Sequence, residues 1–310
     1  MSIVIVDYHK GNLLSVERGL VGAGADVVVT DEADVIRAAD AVVLPGVGAF
    51  ADAAASMEEM GQMEAVRAAV AGGAPFLGIC LGMHLMFEAG TEHAPVDGPL
   101  PRGLGFIEGV VDAMPRTDAA GRAYKVPHVG WNSVEFSEPN SLFDGTAPGE
   151  FFYFTHSFVA PPSAATIAET VHSVTFPCAV QVPGRPVFGV QFHPEKSSDA
   201  GARLLANFAT IARAARADSA HADKVAKNPR RVKGVAMYLL PAIDLLDGRA
   251  VRLAKGDYHA VTVYNTTRRI RPSCSRRPVR HGFMWSIWMA RSPAIPTTWK
   301  WCARFWRARA

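Results

Sequence analysis

The chain has 310 residues, 49% apolar and 20% charged, with a formal net charge of +3. That length supports one large domain or two smaller ones, and the composition is that of a soluble globular protein, not a disordered or fibrous one. No apolar run reaches the roughly 18 residues of a membrane span, and the N-terminal MSIVIVDYHKGN does not read as a secretory signal.

The charge is unevenly placed. Residues 268–310 hold ten Arg and one Lys without Asp or Glu, which leaves −8 on residues 1–267. An acidic body with a basic tail points either to a nucleic-acid-binding arm or to a tail of different origin. The four cysteines, Cys80, Cys178, Cys274 and Cys302, show no paired spacing. A reducing, cytoplasmic setting is expected, with no disulfide framework and no Cys-based metal site.

In chain order, residues 3–6 form a β-branched run that predicts a buried strand, ending at Asp7. Residues 12–22 predict a helix, with Leu13, Leu14, Val16, Leu20 and Val21 available for one face. Strands are predicted at 26–30 and 41–44, and PGVGAF (45–50) reads as a tight Gly-rich turn. Residues 57–71 predict a helix and 75–79 a strand, after which CLGMHLMFE reads as the start of an amphipathic helix. Strands alternating with helices imply a parallel sheet covered on both faces. From about residue 103 the texture changes to short alternating runs at 126–132, 150–154, 166–171 and 187–192, expected as strands of a mixed or antiparallel extension. A helix over 200–217 closes this part. Residues 215–235 are polar, basic and Ala-rich and read as a linker. No internal repeat is present.

Three strand ends carry chemistry. Cys80 stands between Gly78 and Gly82 where a strand turns into a helix, the G-x-C-x-G spacing of a nucleophile elbow. A helix N-terminus beside the sulfur favours the reactive thiolate, although a small buried core residue has the same sequence appearance. A cysteine nucleophile needs a base, and the base needs an orienting group. Of ten histidines the best placed is His193, where a strand runs into His193-Pro194-Glu195; at i and i+2 of extended chain both side chains point the same way. A plain surface turn is the alternative. Acyl transfer also needs oxyanion donors, and Gly46-Val47-Gly48 at another strand end could let backbone N–H groups approach; a phosphate cradle or simple turn is the alternative. GxG without a third glycine is a poor dinucleotide signal, and no Lys-Ser/Thr follows as a P-loop requires.

Taken together, PGVGAF, GICLGMHLMFE and VQFHPEKS resemble the class I, triad-type glutamine amidotransferases. VDYHKGNLLSV, PHVGWN (127–132) and YFTHSF (153–158) narrow the resemblance to the glutaminase subunits of imidazole glycerol phosphate synthase, in histidine biosynthesis. It covers roughly residues 1–213. The resemblance implies an α/β fold: a flavodoxin-like open mixed sheet with helices on both faces. It implies Cys80 as nucleophile, His193 as general base and acid, and Glu195 as the orienting carboxylate. Gly46, Val47 and Gly48 would form the oxyanion loop, and Leu81 and His84 would be further substrate-binding positions. His156, Ser157 and Phe158 would form the strip whose backbone holds the glutamine α-amino and carboxylate groups. No metal or other cofactor is implied. The implied partner is a cyclase with a (β/α)8 barrel, in a heterodimer that passes ammonia from glutamine to the cyclase and makes imidazole glycerol phosphate and aminoimidazole carboxamide ribotide. Neither a membrane nor a nucleic acid is an expected partner. Two departures stand out: His84 occupies a position where the family usually has Gln, and the first loop reads His9-Lys10-Gly11-Asn12 where the family has Gly-x-Gly-Asn.

Beyond a linker at 214–236, residues 237–265 (MYLLPAIDLLDGRAVRLAKGDYHAVTVYN) resemble the opening of the phosphoribosyl isomerase that makes the cyclase's substrate, with Asp244 where that barrel family carries a catalytic aspartate. So short a segment cannot close a barrel, so no isomerase activity is expected. Residues 266–310 are expected to be a reading-frame artefact. Taking the third base of each codon with the next two, Trp288-Met289 forces Asp, Met289-Ala290 forces Gly and Trp299-Lys300 forces Glu. That frame permits Val-Val-Asp-Leu-Asp-Gly from Met284 and Leu-Glu-Val-Val-Arg-Ala-Ile-Leu from Thr298, strings that suit a continuing isomerase. A functional Arg/Trp-rich arm has no reason to hide them; resequencing the gene decides between the two. Two rival functions remain open at this level: a different cysteine hydrolase or amidotransferase on the same scaffold, and a nucleic-acid-binding protein acting through its basic aromatic tail.

Overall fold

The computed structural model describes residues 2–136, 138–227, 244–246, 249–254 and 257–265. The chain divides into two units, Met1–Pro229 and Arg230–Ala310.

The first unit opens with β1 (Ser2–Val6), α1 (Leu13–Gly22), β2 (Asp26–Thr30), α2 (Ala33–Arg37), β3 (Ala41–Gly46), α3 (Phe50–Glu59), α4 (Gln62–Ala71) and β4 (Phe76–Cys80). It continues with α5 (Leu81–His84), β5 (Phe87–Gly90), β6 (Ile107–Ala113), β7 (His128–Val134), β8 (Glu150–His156), β9 (Phe158–Val159), β10 (Thr166–Val171), β11 (Thr175–Gln181), β12 (Val187–Val190) and α6 (Ser198–Lys227). Seven strands make the main sheet in the order β10-β11-β12-β4-β3-β1-β2. The five strands from β12 to β2 are parallel, and β10 and β11 extend the sheet antiparallel.

The β-branched runs form the centre because both faces of each strand are covered. Val4, Val6, Val42, Leu44 and Phe76 enter one core with α3 and α4. Their alternate neighbours Ile3, Ile5, Ala41, Val43, Leu77 and Ile79 enter a second core with α1, α6 and the inner side of β8. Period-2 alternation therefore divides each strand between two apolar layers, each fully buried side chain contributing roughly 1.5–3 kcal/mol. The expected helix at 57–71 is two helices, since Gly61 at φ +68° breaks the chain between α3 and α4. The stretch after Cys80 departs from the expected amphipathic helix. All four residues of α5 are buried, and Leu85, Met86 and Phe87 behind them are fully so. With no solvent-facing stripe the segment makes one helical turn and then joins β5.

The antiparallel pair β7–β8 carries a clean alternation. His128, Val134, Phe152, Phe154 and His156 face inward and are buried, while Val129, Trp131 and Phe151 face out and are exposed. Four strands, β5, β6, β9 and β11, lay outside the sequence expectation. Helix α6 runs through to Lys227, past the expected end at 217, so residues 218–227, read from sequence as linker, are helical. In the second unit β13 (Asp244–Leu246), β14 (Arg249–Ala254) and β15 (Asp257–Asn265) form a three-stranded antiparallel sheet. The tail read as out of frame, 266–310, lies outside the described residues. No helix among the described residues is long and apolar enough to cross a membrane.

Backbones come closest where β3 passes the turn after β4. A Cβ on Gly82 would stand 1.7 Å from the Leu44 carbonyl oxygen, and one on Gly78 2.5 Å from the Gly82 carbonyl oxygen. Both obstacles are main chain and cannot swing aside. Gly82→Ala is expected to destabilise the fold by about 3 kcal/mol or more, read as a lowered urea midpoint; a midpoint equal to the parent's would show that β3 and α5 separate freely.

Candidate active site

The C-terminal ends of three adjacent strands, β3, β4 and β12, converge on one spot. Gly46 and Cys80 are register partners across β3 and β4, and Ile79 is paired with Val190 of β12, three residues before His193. Cys80 adopts φ 54°, ψ −107°, a conformation unusual for a non-glycine residue. The residue stands in the turn at the C-terminal end of β4 and is 7% exposed.

His193 is fixed by a short backbone circuit. Its N–H donates to the Tyr153 carbonyl at 2.9 Å, and its own carbonyl accepts from the Ser197 hydroxyl at 2.6 Å. The Ser197 oxygen in turn accepts from the Tyr153 N–H at 3.0 Å, so the HPE turn is tied to β8. Residues Pro194–Lys196 form a 3-10 turn, not the extended chain expected from sequence. The contact expected of i and i+2 is nevertheless made: His193 Nδ1–H donates to Glu195 Oε1 at 2.8 Å, with the two side chains 3% and 1% exposed. This sets the tautomer and turns Nε2 toward Cys80. No hydrogen bond of ordinary geometry closes there, and Nε2 is buried without a partner. Burial alone would push the imidazolium down, but the neighbouring Cys80 sulfur and the hydrogen-bonded Glu195 carboxylate outweigh it and raise His193 to about 9.

Around the sulfur, the Thr155 carbonyl is 3.9 Å and the Gln191 side-chain amide nitrogen 3.7 Å from Sγ. Gly46 packs under this point; a Cβ on it would stand 2.4 Å from the Tyr8 hydroxyl and 2.9 Å from the Leu81 Cβ. Val47, at the rim, is 41% exposed, and Gly48 has φ +102°. Leu81 is buried as the first residue of α5. Because α5 has one turn, the helix charge expected beside the sulfur reduces to its first N–H groups.

His156 ends β8, one residue from Thr155, and Ser157 and Phe158 follow; the Phe158 carbonyl accepts from His156 Nδ1 at 2.8 Å. The bare His156 Nε2 then accepts from His128 Nδ1 at 3.1 Å, and the His128 ring stacks on His172 at 4.3 Å. Burial holds His156 down to about 3 and His128 to about 4, the charge of His172 adding to both. His84 is turned inward from α5, with Nε2 2.6 Å from the Gln191 side-chain oxygen, and burial lowers it to about 4.

The structure thus brings Cys80, His193, Glu195, Gly46, Leu81 and the start of the 156–158 strip to one place, with Val47 and Gly48 on the adjoining loop. It sets His84 behind the sulfur, on Gln191. Two neighbours were not singled out from sequence. Gln191 sits in VQFHPE, where its alternation with Phe192 was the only signal. Tyr8 has a buried hydroxyl without a partner, and burial, with the Cys80 charge adding, raises its phenol well above its ordinary value.

This set can form a covalent bond at a sulfur, move a proton at an imidazole and hold that imidazole positive. A model of the class-I glutamine amidotransferases matches residues 4–212. The imidazole glycerol phosphate synthase subunit HisH of Moorella thermoacetica is 43% identical over 211 residues, covering 68% of this chain and 95% of the relative. The HisH subunit of Methylococcus capsulatus is 44% identical over 212 residues, covering 67% and 95%. A solved structure of a glutamine amidotransferase, 19% identical, superposes with a TM-score of 0.51 over 68% of this chain and 98% of its own, a likeness of fold.

The four shifted histidines make stability pH-dependent in opposite senses. His84, His128 and His156 titrate near 4, 4 and 3 when folded, against an ordinary 6.5. Between pH 6.5 and 4 the unfolded chain binds more protons, so stability falls as pH falls. His193 is raised to about 9, so its contribution is complete below 6.5 and is lost as pH rises through 9. Urea midpoints are expected to peak near pH 6.5, and Cys80→Ala is expected to flatten the decline between 6.5 and 9. An identical decline in parent and variant would remove the Cys80–His193 coupling. The matches along residues 4–212 and the extent of the relatives covered place this chain in the class-I glutamine amidotransferase family, among the HisH subunits of imidazole glycerol phosphate synthase.

Proposed function

We propose that Cys80, His193 and Glu195 are the nucleophile, the proton-transfer base and acid, and the orienting carboxylate of a glutaminase that feeds ammonia to a cyclase partner. The observation that carries this reading is the buried Cys80–His193–Glu195 line at the ends of β4 and β12, with the Nδ1–Oε1 contact of 2.8 Å. The Cys80 thiolate attacks the side-chain carbonyl carbon of glutamine, and the carbonyl π electrons move onto oxygen. Backbone N–H groups of the Gly46–Val47–Gly48 loop and of Leu81 would receive that oxyanion. As the tetrahedral intermediate collapses, His193 gives its Nε2 proton to the departing nitrogen; the C–N bond breaks, ammonia leaves and a glutamyl thioester remains. Water then attacks the thioester, His193 takes its proton, and glutamate leaves with Cys80 restored. Glu195 keeps Nε2 facing the sulfur in both steps. His156, Ser157 and Phe158 would hold the amino-acid end of glutamine.

The cyclase partner is supported by the exposed apolar side of β7–β8, where Val129, Trp131 and Phe151 face outward. A heterodimer that makes imidazole glycerol phosphate and aminoimidazole carboxamide ribotide follows from this reading, as does a cytoplasmic setting, where the unpaired Cys80 and Cys178 stay reduced. The segment 237–265 has no isomerase function in this reading: its described strands pair antiparallel, and a (β/α)8 barrel is built of parallel ones.

Cys80→Ala and Cys80→Ser are expected to lower glutamine hydrolysis on the order of 10⁴-fold or more while leaving the circular dichroism spectrum intact. His193→Ala should be nearly as damaging and Glu195→Ala less so, because the base moves the proton and the carboxylate orients it. Substantial hydrolysis by the Cys80 variants, or equal mild losses for the other two, would end the triad assignment. Glutaminase activity alone is expected to be slow and to rise when a cyclase subunit with its bound nucleotide is added; a lone chain at full rate, unchanged by the partner, would contradict the ammonia-transfer reading.

A further inference from the structure

Beside Cys80 lies a buried polar chain that the triad does not use. Gln191 Nε2 is 3.7 Å from Cys80 Sγ, and Gln191 Oε1 is 2.6 Å from His84 Nε2. Gln191 is fully buried and His84 nearly so. The amide oxygen can only accept, so the short contact requires a proton on His84 Nε2. That donation turns the amide over with its N–H toward the sulfur; the reverse orientation would set an oxygen against a thiolate. Backbone packing holds both ends: the Gln191 N–H donates to the Cys178 carbonyl at 2.9 Å, and α5 is pressed against β3 through Gly82.

We propose that His84 and Gln191 form a positioning relay in which His84 Nε2–H orients the Gln191 amide to donate to the Cys80 thiolate. His84 then acts on the nucleophile through Gln191, and His84 and Gln191 are positioning residues. The relay needs a proton on His84 Nε2, which the 2.6 Å contact to an accepting oxygen supplies; burial keeps the ring neutral, as it does the nearby His156 ring. The other titratable groups facing the sulfur are Tyr8 from the end of β1 and His193 with Glu195 behind it. An amide on residue 84 could make the same donation, so the relay asks for a donor there, not for an imidazole.

The proposal rests on Cys80 being the reactive thiol, and its test does not require glutamine to be the substrate. The full chain is treated with iodoacetamide across pH 6–10, and alkylation of the Cys80 peptide is followed by mass spectrometry. Gln191→Leu and His84→Leu are each expected to slow alkylation near neutral pH on the order of tenfold, with the difference closing at alkaline pH, as for loss of one hydrogen bond to a charged group. The double variant should lose no more than the worse single one, because the two act in series. His84→Gln should restore most of the rate. Gln191→Glu, nearly isosteric, keeps an acceptor for His84 but has no N–H for the sulfur and adds a negative charge; it should be as slow as Gln191→Leu or slower, which keeps the test decisive if the leucine variants do not fold. In glutamine hydrolysis the losses should fall on kcat. Parent-like alkylation in Gln191→Glu, additive losses in the double variant, or a His84→Gln as slow as His84→Leu would each overturn the relay. A rise in KM with alkylation unchanged would instead make His84 a substrate contact. Normal relay behaviour with no glutamine hydrolysis by the parent, even with a cyclase subunit and its bound nucleotide present, would leave the relay standing and overturn the glutaminase reading.

Discussion

The close passage of β3 across the turn after β4 is the constraint on which the site depends. Cys80 holds φ 54°, ψ −107°, which costs of order 1–3 kcal/mol. The conformation persists because its surroundings leave no other. Gly82 lies against the Leu44 carbonyl, Gly78 against the Gly82 carbonyl, and Gly46 against the Tyr8 hydroxyl. Immediately downstream Leu81, Met83, Leu85, Met86 and Phe87 are all buried. Their burial, roughly 1.5–3 kcal/mol for each large side chain, exceeds the backbone strain several-fold. The strained cysteine at the C-terminal end of β4 is thus held in place by apolar packing that lies outside the Cys80–His193–Glu195 group.

Around that sulfur, histidines are held in two opposite states by ordinary forces. His193 has a carboxylate on one nitrogen and the thiol beside the other, and these outweigh the cost of burying an imidazolium. His84, His128 and His156 have only uncharged hydrogen-bond partners: an amide, another imidazole, a backbone carbonyl. Burial then decides, and they remain neutral. Among these four rings the positive charge is therefore confined to the one beside the Cys80 sulfur, while the neutral rings serve as directional donors and acceptors. Within this dry pocket a second positive imidazole would compete for the thiolate.

The same economy of position governs the outer surface. The β7–β8 pair sends His128 and His156 inward to the site and Trp131 and Phe151 outward to solvent, from alternate positions of the same strands. Register between these two strands links the inner histidine pair to the outer apolar face, because a one-residue slip would exchange them. The buried histidine pair and the exposed apolar face lie a single strand thickness apart for that reason.

The sequence by itself determined the alternation of strands and helices, the parallel sheet, the strand-end placement of Cys80 and His193 and the glycines around the former. These rest on local stereochemistry: β-branched runs favour pleated, two-sided burial, and glycine alone tolerates the closest backbone approaches. His193 and Glu195 were also legible together, being two residues apart. Tertiary structure alone decided that the segment after Cys80 stops after one turn, because burial on every side is a property of its neighbours and not of its own pattern. It decided that His84 meets Gln191, 107 positions away. It also decided that His193 is held positive while His84, His128 and His156 stay neutral, since an imidazole's charge is set by the partners that folding brings to each of its nitrogens.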